Sequence, residues 1–225
     1  MTPANHASLF ESHPSGIQHT LAGRRMFPHL TTLKLRIKQT MRGFSGFITQ
    51  INEMLSITPA LEHLCIDNGF PLHIAPIPDV GKFPLRYNHL SRLRSITLST
   101  FVPIKQIALF EGLFANDPPP SLTEINIETT INWAMRPANG NIPSTAALYV
   151  RGVQLYRLDT FLLRPSFEKV KKLVLRIQTT HQMQFAESDK TVEAIRWRDA
   201  MASAVPHLLG KKDLEVEFQL DFNRW

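Results

Sequence analysis

His63 and Cys65 stand two apart in the string LEHLCID, so an imidazole and a thiol would project from the same face of an extended strand. A thiol nucleophile needs a base in hydrogen-bond geometry and a third group to orient that base. No oxyanion-hole motif lies nearby, and the pair reads as a bystander. Cys65 is the only cysteine in 225 residues, which rules out an intrachain disulfide and an all-cysteine metal cage. The nine histidines are dispersed, with His6, His13 and His19 in the first 25 residues, and no H-x-x-x-H pair falls on a helical pattern. Neither a G-x-G-x-x-G string, a Walker loop nor a G-x-S-x-G elbow occurs. Glu124 and Glu128 are carboxylates that could pair, but on the outward side of a strand water solvates them. The expectation is a protein that is not an enzyme, with no catalytic, cofactor-binding or metal residues.

The string PSFEKVKKLVLRI, residues 165 to 177, is the other candidate for chemistry, since Lys172 and Arg176 could meet phosphate. The net charge of +6 permits that, although such a figure speaks to solubility and nonspecific association more than to a site. With 43% hydrophobic and 20% charged residues, the chain has the composition of a globular protein with a sizeable core, and sixteen prolines punctuate it into short elements. No charged n-region leads into an apolar stretch, and no apolar run is long enough to span a bilayer. A cytoplasmic or nuclear protein without membrane contact is expected.

The elements that would position these residues come from a repeated pattern. FPHLTTLKLRI ends in strict alternation, with Leu33, Leu35 and Ile37 apolar and Thr32, Lys34 and Arg36 polar, which predicts a strand with one buried face. PALEHLCID, LSRLRSITLS, PSLTEINIE and FEKVKKLVLRI repeat it, and KKDLEVEFQL is a weaker sixth copy. The shared L-x-x-L-x-L starts at 30, 61, 93 and 122, spaced by 31, 32 and 29, and the next, at 170, follows after 48. Self-similarity at such periods predicts a stack of units, none of which can bury its apolar face alone. Residues 1–25 lack any sustained period and read as a poorly ordered lead-in or loose cap, leaving 26–225 as the repeat domain.

Helices are predicted between the strands. FSGFITQINEMLSI carries Phe44, Phe47, Ile48, Ile51, Met54 and Leu55 on one stripe, and IKQIALFEGLFA does the same with Ile107, Phe110 and Phe114. PSTAALYVRGVQLYRLDTFLL reads as one helix ending before Pro165, and SDKTVEAIRWRDAMASAVPHLL as another with Val192, Ile195, Met201 and Val205 on its apolar side. Residues 69–88 hold four prolines and two glycines and read as a long loop and a candidate contact region. Trp133, in a Pro- and Gly-bearing loop, is a candidate anchor for a partner.

The strings FPHLTTLKLRI, TPALEHLCIDNG, LSRLRSITL and PPSLTEINI resemble the irregular leucine-rich repeats of fungal, basidiomycete-type F-box proteins. YRLDTFLLRPSFEKVKKLVLRI followed by MASAVPHLLGKKDLEVEF resembles the ending of those proteins, so the likeness covers roughly 27 to 222. It implies an α/β solenoid, a curved parallel sheet with helices and loops on the other side, and a ubiquitin-ligase substrate receptor docked on a Skp-type adaptor. The Leu-Pro-x-Glu-Ile/Leu docking motif has no counterpart in the first 25 residues. The asparagine that regular repeats place three residues after the last leucine is replaced by Lys38, Gly69, Phe101, Thr130 and Gln178, which predicts an irregular arc without an amide ladder.

If the apolar residues face inward, alternation turns the rest outward. That face holds Lys34 and Arg36, His63 and Asp67, Thr97, then Glu124, Asn126 and Glu128, and finally Lys172 and Arg176. With Trp133 these are the candidate protein-contact residues. Acidic pairs flank the basic ones, so no continuous phosphate track forms. The expected function is a non-catalytic protein-interaction module with an unidentified protein partner; the alternatives are a basic nucleic-acid-binding protein or a decayed F-box paralogue with no activity.

Overall fold

The computed structural model describes residues 6–8, 27–36, 44–68, 85–87, 89–100, 110–112, 114, 117–131, 145–179 and 187–221. Each copy of the repeated string begins with the same turn. The first apolar residue donates its amide to the carbonyl three residues back: Leu30 to Phe27, Leu61 to Thr58, Leu93 to Leu90, Leu122 to Pro119, Val170 to Phe167 and Leu214 to Lys211, all at 3.0–3.3 Å. All six donors' side chains are buried. The turn thus drives one apolar residue into the core and releases the chain into an extended strand two residues later, or one residue later in the sixth copy, where Leu214 precedes Glu215.

The strands are β1 (His6–Ser8), β2 (Thr32–Arg36), β3 (His63–Asn68), β4 (Ser95–Thr100), β5 (Glu124–Ile131), β6 (Lys172–Thr179) and β7 (Glu215–Asp221). They form a single open sheet in chain order, every pair parallel. Entry to each strand is fixed by its predecessor. The Thr31 carbonyl accepts from the amides of Glu62 and His63, Glu62 from Arg94 and Ser95, Arg94 from Thr123 and Glu124, and Thr123 from Lys171 and Lys172, at 2.8–3.1 Å. Parallel strands need covered crossovers. The described helices α1 (Phe44–Ser56), α2 (Thr145–Val153), α3 (Leu155–Phe161), α4 (Glu187–Ala204) and α5 (Pro206–Leu209) lie in those connections.

Residues 1–25 are described only at His6–Ser8, which pair with Thr32–Lys34 as an added edge strand that no periodicity flagged. Inward positions form two apolar rows across the sheet, Leu33, Leu64, Ile96, Ile125 and Leu173 in one and Leu35, Ile66, Leu98, Ile127 and Leu175 in the other, none more than 4% exposed. The next inward position on β5 is polar, and Thr129 satisfies its buried hydroxyl on Tyr149 at 2.9 Å. Tyr87, Phe110, Phe114, Phe161 and Phe167 interlock beside the rows with ring centroids 4.6–5.7 Å apart. Leu85 and Tyr87, inside the stretch read as a contact loop, are therefore core residues. Residues 69–84 and 88, the rest of that stretch, lie outside the described residues.

Two predicted helices are each broken in two. Gln154, at φ 58° and ψ 43°, interrupts the run from 145, with its side chain held by Arg157 at 2.7 Å. This kink lets both Val153 and Leu155 reach the core. The second break follows from Pro206, which disfavours the helical region at the residue before it; Val205 sits at φ −130° and ψ 48°, and α5 starts at the proline. The buried side of that second predicted helix agrees with the expected one at Met201 and Val205 but not at its start. Trp197, Met201, Ala204 and Val205 face the core, with Trp197 against Tyr149 at 5.2 Å, whereas Val192 and Ile195 are exposed.

Leu173→Ala, in the middle of an apolar row, is expected to cost about 2–5 kcal/mol. Leu220→Ala, on the half-buried edge strand β7, should cost no more than about 1 kcal/mol; urea unfolding of the two variants checks the contrast. Burial pushes the Tyr149 phenol up to about 12 and the Tyr87 phenol higher still. An unfolded chain would ionise both from about pH 10, releasing protons that the folded state keeps. Stability should then fall as pH rises above 10, by about 1.4 kcal/mol per unit for each group. The Tyr87 hydroxyl finds no hydrogen-bond partner among the described residues, so Tyr87→Phe should leave stability at pH 7 equal or up to about 1 kcal/mol higher and make the alkaline fall shallower. Urea midpoints between pH 9 and 11.5 measure both effects.

Candidate protein-contact face of the sheet

On the side opposite the apolar rows, register aligns the outward residues into three lines. One runs Thr32, His63, Ser95, Glu124, Lys172, Glu215; the next Lys34, Cys65, Thr97, Asn126, Val174, Glu217; the third Arg36, Asp67, Ser99, Glu128, Arg176, Gln219. Ten of the eleven candidate residues therefore share one surface. The eleventh, Trp133, lies outside the described residues.

The lines bind themselves together most tightly over β5 to β7. Arg176 donates Nε to Gln219 Oε1 at 2.6 Å and Nη1 to Glu128 Oε1 at 2.9 Å. Gln219 Nε2 donates to Glu217 Oε1 at 2.6 Å, and Lys172 Nζ lies 2.9 Å from Glu217 Oε2 and 3.6 Å from Glu215 Oε1. The Gln219 amide, and after it the Lys172 ammonium, hold Glu217 below the usual carboxylate range. The hydrogen bond to Glu217 in turn raises Lys172. Beneath this lattice Val174 is buried although it points outward, because charged stems on both sides close over it. Asn126 completes the network by donating to Glu124 at 2.9 Å and to Thr97 at 3.4 Å.

Over β2 to β4 the face is more open. Arg36 pairs with Asp67 at 3.1 Å, its side chain 62% exposed, and His63 Nδ1 shares a hydrogen bond with Ser95 Oγ at 2.7 Å. Lys34 is exposed and, among the described residues, has no ion-pair partner. Two strands away, beyond β3, Ser95, Thr97 and Ser99 make a strip of hydroxyls down β4. Burial raises the Cys65 thiol, and Lys34 only partly offsets this. With His63 engaged on Ser95, the imidazole and the thiol do not form a couple.

The structure brings together further polar groups that lie far apart in sequence. Buried Asp159 accepts from His207 Nδ1 at 2.6 Å and from the Leu208 amide at 2.9 Å, tying α3 to α5 across 48 residues. Arg157 meets Glu111 in the same region. A cleft of about 440 Å³ is lined by Thr49, Asn52, Glu53, Ser56, Arg86 and His89. Asn52 there accepts from the Arg86 amide at 2.8 Å and His89 bonds the Leu55 carbonyl at 2.7 Å, so these groups anchor the chain around 86–89 to α1. No local spacing announces any of these contacts.

Among the described residues no helix is long and apolar enough to cross a membrane, and no group of three or more His, Cys, Asp or Glu is placed to hold a metal ion. Comparison with known proteins gives no relative: no family model matches, and neither a curated protein nor a solved structure does. The likeness to F-box proteins rests on the quoted strings.

The pairing of Arg176 with Glu128, partly buried yet still reached by water on both sides, should be weak. A double-mutant cycle with Arg176→Gln and Glu128→Gln is expected to give a coupling of about 0.2–1 kcal/mol that shrinks in 1 M salt.

Proposed function

We propose that the protein is a non-catalytic recognition module, a solenoid of irregular leucine-rich-repeat-like units whose outer sheet face binds a protein partner. The sixfold recurrence of one turn and one strand supports the solenoid reading. The observation that carries the functional reading is the asymmetry of the face, closed by its own ion pairs over β5 to β7 and open over β2 to β4 around Lys34. A partner would lay acidic groups on Lys34 and Arg36 and polar groups on the β4 hydroxyls, while the paired half supplies rigid charge complementarity that sets specificity. By resemblance this is the part played by the substrate-recognition repeats of F-box proteins, with a Skp-type adaptor as a second partner. Glutamates on both sides of Lys172 and Arg176 count against nucleic acid, which wants basic residues clustered on one face.

The test compares the purified chain with Lys34→Glu/Arg36→Glu, both checked for folding by circular dichroism. Each is used to capture proteins from a lysate, and each is titrated with a purified Skp-type adaptor and with labelled DNA and RNA at two salt concentrations. A protein partner retained by the native chain and lost by the variant is the expected result. Equal recovery by both, or a nucleic-acid affinity that falls steeply with salt, would overturn the reading.

A further inference from the structure

β7, at one end of the sheet, differs from β2 through β6 in two ways. In β2 through β6 the two inward apolar positions are at most 4% exposed, yet in β7 the aligned residues Val216 and Phe218 stay half-buried, as does Leu220. Beside them α4, which packs against β7, leaves Val192 and Ile195 at 48% and 53% exposure. The backbone is the second difference. Glu215 donates its amide to the Lys171 carbonyl, so the odd-numbered residues of β7 bond β6. By alternation the amides and carbonyls of Val216, Phe218 and Leu220 point to the open edge.

Edge strands are usually blunted by proline, lysine, a bulge or a cover. In EVEFQLD there is neither proline nor lysine, and the strand pairs regularly with β6 over all seven residues. Among the described residues its guard is the acid of Glu215, Glu217 and Asp221, which repels an acidic strand and favours a basic one. The sheet already shows the matching pattern one step earlier. Acidic β5 is followed by basic β6 and then acidic β7, with Lys172 bridging both glutamates of β7 from one side only.

We infer that the β7 edge is a second docking site, distinct from the outer face, for an extended segment of a partner protein in which basic residues alternate with apolar ones. The segment adds as a strand: its backbone pairs with Val216, Phe218 and Leu220, its apolar residues extend the inward rows, and its basic residues lie against Glu215 and Glu217. Main-chain hydrogen bonds supply affinity and the acidic row supplies selectivity.

The probe is a fluorescent octapeptide copying the chain's own basic strand, Lys172–Thr179, titrated into the full chain by anisotropy. Its partners in the experiment are a version with glutamate for both basic residues and two versions N-methylated on alternate residues, one set per backbone edge. Saturable binding is expected, at least about tenfold weaker for the acidic peptide and abolished by one of the N-methyl sets. Glu215→Lys/Glu217→Lys should weaken the native peptide and favour the acidic one. Failure of the basic peptide to bind, equal binding of the acidic peptide, or indifference to both N-methyl sets overturns the proposal. So does self-association of the chain by analytical ultracentrifugation that the Glu215→Lys/Glu217→Lys variant abolishes, since a second copy would then own the edge. Because the peptides leave the protein unchanged, these outcomes stand even if the variant misfolds, and they do not touch Lys34 or Arg36.

Discussion

Everything in this fold depends on one backbone contact repeated along the chain, the carbonyl just before a strand accepting two successive amides from the start of the next. It holds neighbouring strands parallel and in register at four junctions, from β2 through β6. Register decides which face each side chain meets, since a slip of one residue would exchange the apolar rows for the charged lines. The turn that sets the first buried residue of each unit fixes the phase, and the carbonyl locks that phase to the preceding unit. Six units of unlike sequence can therefore share one core.

The charged face is a product of that locking. Glu128, Arg176 and Gln219 meet because they occupy the same line on β5, β6 and β7, although 48 and 43 residues separate them along the chain. Exposed ion pairs of this kind add little to stability. Their effect is to hold charges of both signs at fixed spacing, with buried Val174 beneath them, so that one half of the surface is rigid and carries four glutamates around two basic residues. The other half keeps an exposed lysine on β2 and, across β3 from it, a row of hydroxyls on β4. A surface divided in this way can discriminate between partners by what it repels as well as by what it attracts.

The strands and their outward residues were legible in the sequence because period-two alternation is a local signal, and strands at similar positions in successive units had to align. The weak sixth copy, KKDLEVEFQL, became β7 for the same reason. The helical layer was less legible. In α4 the apolar residues do not fix one stripe, and tertiary packing, including the contact of Trp197 with Tyr149 on α2, turns Trp197 inward and Ile195 outward. The left-handed Gln154 carries no glycine to announce it, and the Asp159 clamp joins residues with no pattern in common. Those features arise from tertiary packing. The edge strand at His6–Ser8 was hidden for the opposite reason, being three residues long and so too short to show a period.

The sheet order carries a mechanical consequence. Each strand touches only the strands before and after it in the chain, so the structure is close to one-dimensional in its connections. Tension applied to the two termini would run along the stack and load one strand boundary at a time, from whichever end yields first. The chain would lengthen in steps of one unit, with the remaining units intact behind the break. Such a protein gives way like a strip of stamps, and a partner that grips two neighbouring units reinforces only the perforation between them.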